Sequence, residues 1–503
     1  MVQETARRIL TARVYDVAEE TPLDPMPRLS ARLERPVLLK REDLQPVFSF
    51  KLRGAYNRIA QLSDPELARG VICASAGNHA QGVALSAAKR GIASTIVMPT
   101  TTPAIKVSAV KALGGQVVLH GDSFDDAYAH ARQLEAETGA TFVHPFDDPY
   151  VIAGQGTIGL EILRQYSEPL DAVFIPIGGG GLAAGVAAII RFLRPETRLI
   201  GVEPAEAPSM KAAIETGEVI TLDQVGLFAD GVAVRRVGDE TFRLCRDLLD
   251  EIVLVDTDAI CAAVKDIFDD VRAVAEPSGA VALAGLKIWS QRNPGTGALV
   301  AINSGANVNF DRLRHVAERA QIGLGTEALL AVSMPDDRAA YHRFLNSLQG
   351  RSITEFNYRF SGDGTAQIFV GVALREGPSE RHDLCASLRA AGYGVEDMSD
   401  NEIAKLHVRY MVGGRAPALS GERLFRFEFP ERPGAFLQFM NSLQPAWNLT
   451  LFHYRNHGDD VGRVLAGIHA PKGEHEAVTT ALDTLGYPYI EETMNPAARL
   501  FLA

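Results

Sequence analysis

The stretch "DAVFIPIGGGGLAAGVAAIIRF", Asp171 to Phe192, reads as a strand, a glycine turn and the start of a helix. Its strand is apolar almost throughout, as strands are when helices cover both faces of a sheet. Backbone N–H groups at such a turn can surround a phosphate, because glycine permits close approach and the helix dipole favours the anion. Four consecutive glycines, Gly178 to Gly181, cost backbone entropy that packing alone rarely requires, although a tight turn that merely lets the helix pack is the plainer alternative. Read loosely, Gly179, Gly181 and Ala184 also fit G-x-G-x-x-A, with Glu203 ending the next strand, which would suit a dinucleotide fold.

On either side, from about Pro36 to Phe310, short aliphatic runs alternate with helical patterns: "GVICASA", "ASTIVMP", "GQVVLHG", "ATFVHPF", "RLIGVEP", "EIVLVD" and "ALVAINSGAN". This predicts a mostly parallel α/β sheet, whose ligands collect at the loops leaving the strand C-termini. Two further motifs fall on such loops. "SAGNHAQG", Ser75 to Gly82, opens a helix whose N-terminus can hold a carboxylate; Ser75 is equally an ordinary cap, and His79 a core or surface histidine. In "NSGAN", Asn303 to Asn307, the Ser304 hydroxyl can meet a heteroaromatic nitrogen or act as a cap.

"VFSFKLRGAYNRI", Val47 to Ile59, places Lys51 in the first turn of a helix, with Ser49 positioned to cap it. The helix dipole disfavours an ammonium there. A lysine whose charge is disfavoured is a better amine for a Schiff base or for general-base work. The bland alternative is a solvated surface lysine.

A chain of 503 residues holds about three domains. Its net charge of −12 carries no basic run, so the reading includes no nucleic-acid or membrane partner and leaves small molecules and self-association. Cys73, Cys245, Cys261 and Cys385 lie far apart and read as reduced thiols, and neither HExxH nor GxSxG occurs, so no metal is expected. The charged N-terminus and the short longest apolar run, "GLAAGVAAII", make cytoplasmic the default location.

The last 180 or so residues contain a repeat. "MPD" (Met334 to Asp336) and "FLNSLQ" (Phe344 to Gln349) return 95 positions on as "FPE" and "FMNSLQ". "FNYR" (Phe356 to Arg359) returns 96 on as "FHYR" (Phe452 to Arg455), and Gly392–Tyr393 returns as Gly486–Tyr487. Each copy reads strand, helix, strand, strand, helix, strand, a ferredoxin-like α+β unit, with the link inside His407 to Glu422.

Lys51 in "SFKLRGA", then "SAGNHAQG", "GGGGL" and "NSGAN", in that order, together resemble the pyridoxal-phosphate-dependent serine/threonine dehydratases. With the doubled repeat and the phrases "GLFADGVAV", "VRAVAEPSGA" and "EFNYRF", nearly the whole chain is similar to the biosynthetic threonine deaminases among them. The resemblance implies an α/β catalytic domain of PLP fold type II (tryptophan synthase β-like) over residues 1–323, with a smaller subdomain inserted at about 48–140. Two ferredoxin-like, ACT-like regulatory subdomains follow, at 324–400 and 419–503. The implied cofactor is pyridoxal 5'-phosphate, bound covalently by the catalytic Lys51 beside Phe50. Gly178, Gly179, Gly180, Gly181 and Leu182 resemble the phosphate cup, Asn78 the partner of the cofactor's 3-hydroxyl, and Ser304 the partner of its pyridine nitrogen. Ser75, Gly77, Asn78 and His79 are the candidates for the substrate carboxylate.

The implied reaction deaminates L-threonine, and L-serine secondarily, to a 2-oxo acid and ammonia. For threonine this is the first committed step of isoleucine biosynthesis. A homotetramer inhibited by L-isoleucine and opposed by L-valine is also implied. In the repeats, Tyr358 with Arg359 and Tyr454 with Arg455 are the candidate effector residues, an aromatic wall with a guanidinium beside it; half-buried packing tyrosines are the alternative. Four rivals remain. Related racemases carry a second serine where this chain has Ala76, and sulfhydrylase-type synthases have a different carboxylate turn. A serine dehydratase shares the fold, and an NAD-dependent oxidoreductase would use the loose glycine match. A non-catalytic amino-acid sensor would leave the Lys51 constellation without a purpose.

Overall fold

In a computed structural model the chain forms two compact units, one ending at Ala320 and one beginning at Gln321. The structure describes residues 2–121, 123–310, 312–360, 364–375, 377–406, 408–411, 421–430, 434–455, 461–471, 473–495 and 502; the side chains of 338, 378, 406, 430, 455 and 461–463 lie outside the description.

The first unit has two sheets where the alternation of strands and helices suggested one. The larger runs, in spatial order, Leu23–Pro25, Val37–Arg41, Ala298–Asn303, Leu170–Pro176, Arg198–Pro204 and Glu251–Val255. It is parallel except at its first edge. The smaller, all parallel, runs Gln116–Leu119, Ser94–Met98, Val71–Ala74 and Thr141–Phe142. Apolarity shows that a strand is buried but not which strand it pairs with, so the split was hidden. Along Leu170–Pro176, Val173 and Ile175 enter one core while Ala172 and Phe174 enter the other, which is why the run is apolar without alternation.

The helix Lys51–Ile59 packs closely on Asn78–Arg90, because a Cβ at Gly82 would lie 3.0 Å from the backbone nitrogen of Leu52. It is pinned from below by a fully buried charge cluster. Arg53 reaches Glu42 at 2.7 Å and Glu161 at 2.6 Å, and Lys40 reaches Glu161 at 2.7 Å. Two cations and two carboxylates thus balance, and Thr21 donates to Glu42 at 2.6 Å.

In the second unit the two repeats build one antiparallel eight-stranded sheet. Both copies have the expected strand–helix–strand–strand–helix–strand order. They join through Ile353–Arg359 and Asn448–Arg455, where Asn357 lies opposite His453, its own counterpart 96 positions on. Phe356 and Tyr358 face Tyr454 and Phe452, so a local dyad passes through this seam. The symmetry is imperfect: Glu355 faces Arg455, whereas its counterpart, Leu451, faces Arg359. Residues 407 and 412–420 of the expected link lie outside the described residues; within it Arg409 pairs with Glu355 at 3.0 Å. Among the described residues no helix is long and apolar enough to cross a membrane.

Candidate active site

Lys51 opens its helix, but Phe50 before it already has helical backbone and no side chain caps the end. Ser49 Oγ is 3.5 Å from the Lys51 N–H, the limit of a hydrogen bond, so the expected serine cap contributes little. Ser49 instead bridges to Gly305. Phe50 N–H donates to the Ser304 carbonyl at 3.4 Å, Ala306 N–H to the Phe48 carbonyl at 2.9 Å, and Asn307 Nδ2 to the Val47 carbonyl at 2.8 Å. The lysine segment is therefore tied along the segment that leaves the strand Ala298–Asn303.

The Lys51 amine lies 5.2 Å from the centre of the Phe50 ring and 3.5 Å from the Pro145 carbonyl. Among the described residues no carboxylate forms an ion pair with it. Burial pushes its pKa down to about 8, with Glu276 opposing from a distance.

The glycine turn is packed on all sides. A Cβ at Gly179 would lie 2.2 Å from the Phe146 ring and one at Gly181 2.9 Å from the Phe146 carbonyl, and Gly180 has φ of +96°. Packing thus accounts for the glycines, but not for the donors they leave. The Gly179 carbonyl accepts from Gly238 N–H and from Thr241 Oγ1. Among the described residues nothing accepts from the backbone N–H groups of Gly178 to Ala183, Leu182 included. Buried N–H groups are nearly always paired. A row of them at the start of the helix Gly181–Leu193 fits a phosphate.

A second such row stands at "SAGNHAQG". The helix begins at Asn78, and nothing among the described residues accepts from the N–H groups of Ala76, Asn78, His79 or Ala80. Ser75 Oγ accepts from Gly77 N–H at 3.3 Å, and a Cβ at Gly77 would meet only open space. This end fits a carboxylate. The His79 ring is buried against the Val143 carbonyl at 2.8 Å, and burial pushes its pKa down to about 3. It is a neutral ring donating through Nε2, so His79 offers the turn a backbone N–H and not an imidazole.

Ser304 is buried and its hydroxyl donates to the Ser278 carbonyl at 3.3 Å. Asn78 makes two bonds that the sequence did not announce: Nδ2 donates to Glu276 at 2.7 Å, and Oδ1 accepts from Asn307 at 2.7 Å. Glu276 escaped the sequence reading because an acid before proline at a helix start looks like an ordinary cap. Glu203, needed by the dinucleotide alternative, is spent: its carboxylate accepts from the N–H groups of Met210 and Lys211 at 2.8 and 2.9 Å.

In the second unit Tyr358 and Arg359 do not converge. Neighbours on a strand point to opposite faces. Tyr358 enters the aromatic core against Tyr341 and donates to Asp336 at 2.7 Å, whereas Arg359 pairs with Glu422. Tyr454 also lies in that core, and the Arg455 side chain is outside the description. The expected wall with a guanidinium beside it is thus not formed within the first copy.

Residues 14–305 match the family of pyridoxal-phosphate dependent enzymes, and residues 318–408 and 413–502 each match the C-terminal regulatory domain of threonine dehydratase. The chain is 56% identical to the L-threonine dehydratase biosynthetic IlvA of Burkholderia multivorans, over 99% of each chain. It belongs to the biosynthetic threonine dehydratase family. Threonine dehydratases of this family are lyases, and the cofactor is pyridoxal phosphate. Among solved structures, the processed form of threonine deaminase isoform 2 from Solanum lycopersicum is 52% identical, with a TM-score of 0.62 over 63% of this chain and 93% of that one. Maize serine racemase is 34% identical, with a TM-score of 0.59 over 62% of this chain and 96% of that one. The lysine amine and the two rows of free N–H groups are the donor set that an aldehyde, a phosphate and a substrate carboxylate require, so the threonine dehydratase cofactor fits the residues present.

Proposed function

We propose that the chain deaminates L-threonine to 2-oxobutanoate and ammonia, accepts L-serine secondarily, and serves the first committed step of isoleucine biosynthesis. The observation that carries this reading is the Lys51 amine, desolvated and, among the described residues, without an ion-pair partner, in a site furnished with two separate rows of backbone donors that no described residue accepts from. L-serine follows because one methyl group in a pocket discriminates by only ~1–3 kcal/mol.

Lys51 holds the cofactor through its amine and, once freed, takes the substrate α-proton at Nζ. Its lowered pKa keeps a useful share of that amine uncharged near neutrality. The N–H groups of Gly178 to Ala183 would hold the phosphate, and those of Ala76 and of Asn78 to Ala80, at the turn of Ser75 and Gly77, would orient the substrate carboxylate. Bound pyridoxal phosphate supplies the electron sink for the charge left at the α-carbon. Ser304, once its hydroxyl turns from the Ser278 carbonyl, would meet the ring nitrogen and, being uncharged, would not keep it protonated, which would suit elimination. Ala76 offers no proton on the opposite face, so the chemistry is one-sided and racemisation is disfavoured.

The second unit supplies the regulation. The expected division into a catalytic part (1–323) and two ACT-like subdomains (324–400 and 419–503) leaves the latter free of any chemical task. L-isoleucine inhibits through them and L-valine opposes it, with Tyr358, Arg359, Tyr454 and Arg455 as the effector-sensing residues. The assembly is a cytoplasmic homotetramer. Incubating the purified protein with L-threonine tests the central reading: 2-oxobutanoate and ammonia should form in equal amounts, and their absence from cofactor-loaded protein would refute it.

A further inference from the structure

Glu276 stands at the start of the helix Pro277–Arg292, where a side chain ordinarily caps the free N–H groups, and it does not cap them. Its carboxyl turns to Asn78 instead. The fold makes room for this: a Cβ at Gly305 would lie 2.7 Å from Glu276 Oε1. The side chain is buried, and the charges that reach it are Asp230, Lys106 on the helix Ala104–Ala112, and Lys51. Asparagine or serine would cap the helix better, and glutamine would hold Asn78 without burying an acid.

The hydrogen-bond inventory of Asn78 shows what the acid achieves. An amide has one acceptor oxygen and two N–H donors. Oδ1 accepts from Asn307 and one N–H goes to Glu276, so what Asn78 has left on its nitrogen is a donor. Turned over, the amide would set its oxygen against a carboxylate, oxygen to oxygen. An ionised Glu276 therefore forbids that orientation.

We propose that Glu276 is a positioning residue for the deamination: its carboxylate locks the Asn78 amide so that the remaining N–H is kept for the phenolic oxygen of bound pyridoxal phosphate, stabilising that oxygen as an anion. This rests on the reading of Asn78 as the partner of the cofactor's 3-hydroxyl. Burial first of all, with Asp230 adding to it and Asn78, Lys106 and Lys51 opposing, pushes the Glu276 carboxyl up to about 7. The lock is then strongest above neutrality and weakened below it, since a protonated Glu276 can itself donate to a turned amide and only the Asn307 donor still opposes the turn.

The test compares holoenzymes of the wild type, Glu276→Gln, Glu276→Ala and Asn78→Ala by cofactor absorption from pH 5.5 to 9, cofactor affinity, kcat and KM. The wild type should show an absorption step within this range. Glu276→Gln, nearly isosteric, should lose that step, keep cofactor affinity within about threefold, and drop kcat about tenfold with little change in KM. Glu276→Ala should also weaken cofactor binding about tenfold. A Glu276→Gln enzyme with the wild-type step and wild-type kcat would overturn the proposal. An Asn78→Ala spectrum identical to the wild type would overturn it differently, by showing that Asn78 does not meet the cofactor. The spectral readings need no turnover, so they stand or fall apart from the assignment of threonine.

Discussion

Phe50 N–H donates to the Ser304 carbonyl at 3.4 Å, so one backbone hydrogen bond joins the residue beside the amine to the residue assigned to the ring nitrogen. The two are 254 positions apart in the chain. Ser304→Asp should therefore act on the cofactor without unseating Lys51. It should shift the absorption of the loaded enzyme and depress threonine elimination at least tenfold, by placing a carboxylate against the pyridine nitrogen. An unchanged spectrum with normal activity would show that Ser304 does not contact the ring.

Lys51→Ala should abolish turnover in a protein that still folds, because it removes the cofactor link and the α-proton base together. Little packing is lost, since Lys51 is half-buried and its amine has only the Pro145 carbonyl as a hydrogen-bond partner among the described residues. The 2-oxo acid assay and the thermal melt, read side by side, separate lost chemistry from lost structure.

Arg53→Met should destabilise the fold by about 3–5 kcal/mol, because it leaves Glu42 and one side of Glu161 buried without their guanidinium. Denaturant unfolding of the holoenzyme measures this. A cost under about 1 kcal/mol would mean that the cluster admits water.

Glu203 gives a pH signature. Burial raises its carboxyl from 4.5 to about 7, against the pull of two backbone N–H groups and of Lys211. The folded chain then holds this proton more tightly than the unfolded chain does, so stability is lost as pH rises from 4.5 through 7. Glu203→Gln should remove that dependence. Its melting temperature, measured relative to the wild type, should be higher at pH 8.5 than at pH 5, and a constant gap would refute the shift.

A chain ending at Gly323, where the helix Arg312–Gly323 stops, should deaminate threonine and ignore both isoleucine and valine. In the full chain, Tyr454→Phe keeps the ring packing and should alter isoleucine inhibition with little change in the uninhibited rate. Inhibition of an active truncated enzyme at the same isoleucine concentration would place the effector site in the catalytic unit.

Much of the site was legible because its turns are local. A lysine in a helix's first turn, four glycines after an apolar strand and the Asn78 turn each declare themselves within a few residues. What stayed hidden depends on pairs distant in sequence. Glu276 and Asn78 are 198 positions apart, and nothing near either names the other. The burial of Arg53 likewise depends on Glu42 and Glu161, which lie 11 and 108 positions away. The division into two sheets was invisible in the strand pattern for the same reason. That Tyr358 and Arg359 point apart was legible, since a period of two already sends strand neighbours to opposite faces.

The seam between Asn357 and His453 also bears on how such a regulator can change over generations. Two identical subunits meeting on a dyad must alter both sides with every substitution, because one codon encodes both. Here the two sides are encoded separately. Glu355 in the first copy answers to Leu451 in the second, at symmetric places on the same seam, an acid on one side and an aliphatic on the other. A fused pair can thus diverge one half at a time on a shared scaffold.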